Sequence, residues 1–171
     1  MPRRMQITEP TTMITDYALA AACVYFAVAL TYGRRPRIPK SVNLWSLGFL
    51  FTAAASAVGG TYHGFRLLMT PATGRTFWLI TIGLIVLCCV SMIAGTWVSS
   101  VSRHDASAGW LFSGLILTLA GVAIQRSSFD LHRNFNHNDL YHSVQLIAVF
   151  LYFRGARLLR DPAQSREPSR S

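Results

Sequence analysis

The stretch Asn134 to His142, read N-F-N-H-N-D-L-Y-H, holds two histidines, one aspartate and three asparagines directly before the apolar run Ser143 to Phe153. Polar groups this dense are costly beside hydrocarbon unless something binds them. Asn138 or Asp139 is expected to cap the helix that follows, a side-chain oxygen taking an orphan amide of its first turn. His142 then falls on the first turn, three residues from Asp139. His137 lies just outside the helix and folds back over its end. Capping accounts for Asn138 and Asp139, but it does not account for two histidines.

Histidine nitrogen is a common zinc ligand, and a catalytic zinc takes three protein ligands plus an open position for water. His63, His137 and His142 are the candidate ligands, with His132 a further one. Asp139, Asp16 or Asp130 would orient an imidazole or act as general base toward a metal-bound water. Ser56 lies seven residues before His63, two turns deeper and nearly on the same helix face. Gly59 and Gly60 leave the backbone bare between them, so a groove from Ser56 up to His63 should open toward lipid or a neighbouring helix.

The elements that must carry these residues are apolar runs. Five are readable: Met13 to Gly33, Val42 to His63, Thr76 to Ser99, Ala106 to Ile124, and Leu140 to about Leu159. Each is near the ~20 residues that cross ~30 Å of hydrocarbon. Arg154 and Arg157 sit inside the fifth, close enough to its end to snorkel. Trp45, Trp78, Trp97 and Trp110 all stand at run ends, the interfacial placement expected of spans. The expected fold is therefore all-α, a polytopic membrane bundle of about five helices. Residues 1–12 read as a polar leader, 13–159 as the transmembrane domain and 160–171 as a disordered basic tail. The first run ends in Gly33-Arg-Arg-Pro-Arg37 without a small-residue cleavage site, so it reads as a retained span.

Composition agrees. Of 171 residues, 51% are apolar and 13% charged, about half the charge of average soluble domains. The net charge of +9 comes in short basic clusters between apolar runs. That pattern suits anionic headgroups and topology signals and argues against a nucleic-acid partner. Cys23, Cys88 and Cys89 lie inside apolar runs and read as small core residues, not as a thiolate or disulfide framework.

With five spans, the leader and the 64–75 and 125–139 loops share one face, and the 34–41 and 100–105 loops and the tail share the other. Ten of the 16 basic residues fall on the second face, which places it in the cytoplasm and the N-terminus outside. His63, His132, His137 and His142 share the first face with Asp16, Asp130 and Asp139, whereas His104 is excluded.

A serine and a histidine late in the second span, Ser56 and His63, with His137 and His142 opening the last, resemble the CREST group of membrane proteins. That group includes the alkaline ceramidases and adiponectin-receptor-like proteins. The resemblance implies a zinc histidine triad and hydrolysis of a lipid amide, as in a small bacterial-type relative in an inner membrane. The chain departs from the group's pattern in having five runs against seven. It also has Asn138 where the final pair has its partner histidine, Gly59 where the group's serine usually stands, and no acid in run three. Membrane lipid is the expected partner and a lipid amide or ester the expected substrate. Two other classes stay open. One is a haem-binding electron carrier with two axial histidines, disfavoured because no histidine sits mid-span. The other is a non-catalytic scaffold or ion-binding subunit.

Overall fold

The computed structural model describes residues 7–32, 38–99, 105–127, 130–132 and 135–161. Among the described residues are five α-helices: α1 Pro10–Thr31, α2 Lys40–Phe65, α3 Pro71–Val98, α4 Ala106–Ser127 and α5 His137–Ala156, with a 3-10 turn at Arg66–Leu68. The architecture is all-α, and α1 to α4 are long and apolar enough to cross a membrane. His104 and most of the tail, 162–171, lie outside the described residues.

Four of the helices begin earlier than the apolar runs, at polar or proline residues, while α4 begins at Ala106 as expected. Pro10 opens α1, where a missing amide proton costs nothing. Thr12, expected in the leader, is thus helical and buried. At α3, the Thr70 hydroxyl accepts the Thr73 amide at 3.1 Å and Pro71 follows it. At α2 the N-cap is Pro39, which has no side-chain acceptor. Asp161, beyond α5, takes over. Its carboxylate accepts the Lys40 amide at 2.7 Å, the Ser41 amide at 3.2 Å and the Ser41 hydroxyl at 2.6 Å. A carboxylate there also opposes the positive end of the helix dipole.

The cap of α5 is neither Asn138 nor Asp139. Asn136 is the N-cap, its side chain accepting from the Asn138 and Asp139 amides at 2.8 and 3.3 Å. Asp139 completes a capping box by accepting the Asn136 amide at 2.8 Å. His137 is therefore the first helical residue, and His142 falls on the second turn.

The helices stand side by side in the order α3, α2, α1, α5, α4; α3 packs on α2, α4 packs on α5, and these two end helices make no substantial contact with one another. The core lies at α1, α2 and α5, where Cys23, Leu30, Val42 and Phe49 are wholly buried. Phe26 of α1 stacks on Phe153 of α5 at 4.6 Å. Outward surfaces of α3 and α4 are apolar and exposed, which fits a bilayer and not water.

Tryptophan placement follows the expectation only in part. Trp78 and Trp97 are exposed near helix ends. Trp45 instead faces inward, packed against Phe49 and Tyr152 with ring centres 6.2 and 5.6 Å away. Its position along α2 is terminal, but its direction is set by the α1–α5 core. Trp110 lies beneath the Arg154 guanidinium, 5.0 Å from its ring centre, a cation–π contact on a residue expected only to snorkel.

Candidate functional site

Bare backbone on α2 lets α1 come close. A Cβ added to Gly60 would meet the Asp16 Cβ at 2.9 Å, and one at Gly59 would lie 3.6 Å from Asp16 Oδ2. Glycine at 60 thus allows Asp16 to press against α2 beside His63. On the other side α5 presents His142. The rings of His63 and His142 stand 6.4 Å apart, so the ends of α2 and α5 do meet on one surface.

Each imidazole is held through Nδ1. His63 Nδ1 lies 2.9 Å from Glu9 Oε2, and because a carboxylate only accepts, a proton sits on Nδ1, so in the neutral ring Nε2 is the acceptor. His142 Nδ1 lies 3.3 Å from the Thr15 hydroxyl. That hydroxyl already donates to the Thr12 carbonyl at 3.0 Å, so it accepts from His142. The Nε2 of His142 then faces Asp16 Oδ1 at 3.3 Å. A proton shared between the two, as in an ordinary histidine–carboxylate pair, or a metal ion would relieve two acceptors at that distance. The second oxygen of Asp16, Oδ2, is buried without a hydrogen-bond partner among the described residues.

These groups stand at the head of a cavity of about 330 Å³. Its wall takes Asp16, His63 and His142 at one end, then Ser56 and Gly59 on α2, and reaches Met92 of α3 and Tyr152 of α5. The groove expected from Ser56 to His63 is part of this space. All five helices line it, and on the α3–α4 side no close helix contact closes it. Asp16 and His142 lie six and five residues inside their helices, roughly 7.5–9 Å beneath the helix ends. In helices of 22 and 20 residues that is about a quarter of the way along each.

The remaining candidates are placed elsewhere. His137 Nδ1 pairs with Asp130 Oδ1 at 2.9 Å, and that exposed carboxylate is held below its usual range chiefly by the histidine side-chain hydrogen bond. The pair joins the loop at Asp130 to the first residue of α5, and neither residue lines the cavity. His132 forms a backbone bridge with Phe135. Asp139, expected as a general base, is committed: Oδ2 takes the Asn136 amide and Oδ1 the Thr12 hydroxyl at 2.7 Å. It pins α5 to α1. Cys23 is core as expected, whereas Cys88 and Cys89 belong to the cavity wall.

The fit to a zinc ion can be judged from spacing. Two ligands of one tetrahedral zinc at about 2.0–2.1 Å stand roughly 3.3 Å apart, which is the His142–Asp16 separation. Two imidazoles sharing such an ion have ring centres roughly 5 Å apart, about 1 Å closer than His63 and His142 stand. Accordingly, among the described residues no three histidine, cysteine, aspartate or glutamate side chains already form a metal-binding group. Of His63, His142 and Asp16, only His142 and Asp16 stand at a spacing that two zinc ligands share. His63 would have to approach His142 by about 1 Å to join them.

Glu9, Thr12 and Thr15 were not among the sequence candidates. Glu9 falls in the stretch that reads as a polar leader, and its partner His63 is 54 positions away. The signal was present: polar residues at 12, 15 and 16 recur at helical spacing and mark one face of α1.

A profile described as a family of unknown function, DUF6962, matches two overlapping stretches, residues 11–104 and 86–161. No curated protein and no solved structure matches the chain.

Proposed function

From the premise that the chain belongs to DUF6962, a family of unknown function, we propose that it is a membrane hydrolase acting on a lipid amide or ester. The observation that carries this reading is the pair of facing acceptors, His142 Nε2 and Asp16 Oδ1, with Asp16 Oδ2 orphaned beside them. In this reading His63, His142 and Asp16 hold a zinc ion. Zinc bound there supplies hydroxide at neutral pH and polarises a carbonyl.

The chain's own residues do the rest. Glu9 and Thr15 fix the tautomers and ring directions of the two histidines, as carboxylate and hydroxyl partners do in metal sites. The Asp16 and Glu9 carboxylates balance the charge of a dication. The apolar wall below excludes water and receives the lipid tail. Ser56 lines the wall on the α2 side. The same reading makes the protein an integral membrane protein, bacterial and inner-membrane in type. The excess of basic residues on the tail side supports an external N-terminus and an external site.

Elemental analysis of the purified protein tests the proposal. About one zinc per chain is expected, lost in both His63→Ala and His142→Ala, as for a site with three protein ligands. Hydrolysis of N-palmitoyl amides by the intact protein should vanish with it. Metal content that is absent, or unchanged in both variants, overturns the zinc site and leaves a non-catalytic scaffold.

A further inference from the structure

The cavity carries a second polar level that a plain hydrocarbon tail would not use. Gln145, three residues below His142 on α5, is buried and lines the wall. Its Nε2 donates to the Thr118 carbonyl at 3.2 Å, and its Oε1 accepts from the Thr118 hydroxyl at 3.4 Å. Thr118 Oγ1 also lies 3.1 Å from the Tyr152 hydroxyl. Because the Thr118 proton goes to Gln145, Tyr152 donates here. A glutamine amide has two N–H donors and an oxygen with two lone pairs. Among the described residues, one Gln145 N–H and one lone pair are therefore unused.

Polar side chains commonly tie membrane helices together, and Gln145 does tie α4 to α5. Gln145 and Tyr152 accordingly pack on the bare backbone of Gly121 and Gly114 in the α4–α5 seam. At the edge of that seam all three residues also line the cavity, opposite Thr52 and Thr81. Thr52 of α2 and Thr81 of α3 donate to their own helices, to the Gly48 and Phe77 carbonyls at 3.0 Å each. Thr52 also accepts from the Cys88 thiol, 3.1 Å away, which leaves it one lone pair, while the Thr81 oxygen keeps both as an acceptor on that wall. One wall thus offers a spare donor and acceptor and the other offers acceptors. A hydroxyl, which both donates and accepts, complements this set better than a ketone, which only accepts.

We infer that the lipid entering this cavity carries a hydroxyl partway along its chain, seated between Gln145 and the Thr52–Thr81 wall. This deepens the hydrolase reading and rests on it for the identity of the lipid's head. Binding of the chain itself is measurable without any hydrolysis.

The test uses the intact protein in nanodiscs and a palmitoyl amide carrying a photoreactive diazirine. Crosslinking is competed by unlabelled palmitoyl amides, either plain or bearing one hydroxyl at successive chain positions. At one mid-chain position the hydroxylated competitor should be roughly five- to tenfold stronger than the plain one, the value of one or two hydrogen bonds. That ratio should fall to about one in Gln145→Leu and in Thr118→Val. The ratio does not depend on the fraction of folded protein, and the plain competitor shows that the cavity still binds. Equal competition at every position overturns the inference, as does a preference that persists in both variants. Hydroxyl preference without amide hydrolysis would retain this subsite and refute only the hydrolase reading. Loss of hydrolysis with no hydroxyl preference would refute both.

Discussion

Replacing Asp139 separates a structural carboxylate from a catalytic one. Its side chain is 1% exposed and holds two bonds, one to the Asn136 amide and one to the Thr12 hydroxyl across the α1–α5 interface. Loss of a capping interaction costs about 1 kcal/mol, and loss of a hydrogen bond to a charged group about 1.5–3 kcal/mol. Asp139→Ala should therefore destabilise the protein by roughly 3 kcal/mol, while Thr12→Val, which removes one bond, should cost roughly 2 kcal/mol. The two changes share one interaction, so the double variant should fall short of their sum by about 1–2 kcal/mol. Reversible unfolding in mixed micelles gives the four stabilities, and zinc content is measured on the folded fraction. Folded Asp139→Ala should retain its zinc, since the carboxylate touches neither His63 nor His142. Additive costs would show that the Thr12–Asp139 bond is not formed. Full stability with loss of zinc or hydrolysis would restore Asp139 to the catalytic role expected from sequence and refute the structural assignment.

Gly60→Val should press α1 away from α2, because its Cβ would meet Asp16 Cβ at 2.9 Å and the Met13 carbonyl at 3.3 Å. A cost of about 1–3 kcal/mol and loss of zinc are expected, whereas Gly59→Ala, in ordinary contact with Asp16, should keep the metal by the same elemental analysis. Asp161→Ala should destabilise by about 1 kcal/mol by uncapping α2, read as faster amide hydrogen exchange at Lys40 and Ser41, with hydrolysis unchanged. Asp130 is held low by His137; a depressed carboxylate contributes order above its unfolded value of about 3.9 and loses it as pH falls through the lower folded value. Exchange protection at the His137 amide, which donates to Asp130 at 3.1 Å, should thus hold near neutrality and be lost only below about pH 4. Protection independent of pH would show the pair is not formed.

Much of the fold was legible because spans are a matter of length and hydropathy. All five runs became helices, and parity correctly brought His63 and His142 to one surface. What sequence could not supply was direction around each helix. Trp45 sits at a run end, as an interfacial residue should, yet the side of α2 it occupies faces the core. Cys88 and Cys89 lie in an apolar run like Cys23, but α3 packs on α2 alone and turns them toward the cavity. Caps were misjudged for a local reason. In N-H-N-D three residues can cap, and the choice of Asn136 depends on Asp139 bonding back to it while also holding Thr12, a residue 127 positions away. The Asp161 cap of α2 is equally distant in sequence, 120 positions from Ser41.

The site shows the same division between residue type and address. Sequence gathered histidines and acids by density, and density favoured the loop before α5, where His132, His137 and Asp130 satisfy one another or the backbone. Burial selects differently. Asp16 is a single acid in an apolar run, and no neighbour in sequence explains it; only α2, with glycine at 60, and α5, with His142, give it partners. A lone acid inside a span had to be matched from another helix, and glycines on a nearby helix were the clue to which one. The imidazole tautomers then follow from Glu9 and Thr15, both before or within the first turns of α1. The leader is consequently part of the site: the chain before α1 orients His63, and α1 itself supplies the carboxylate that faces His142.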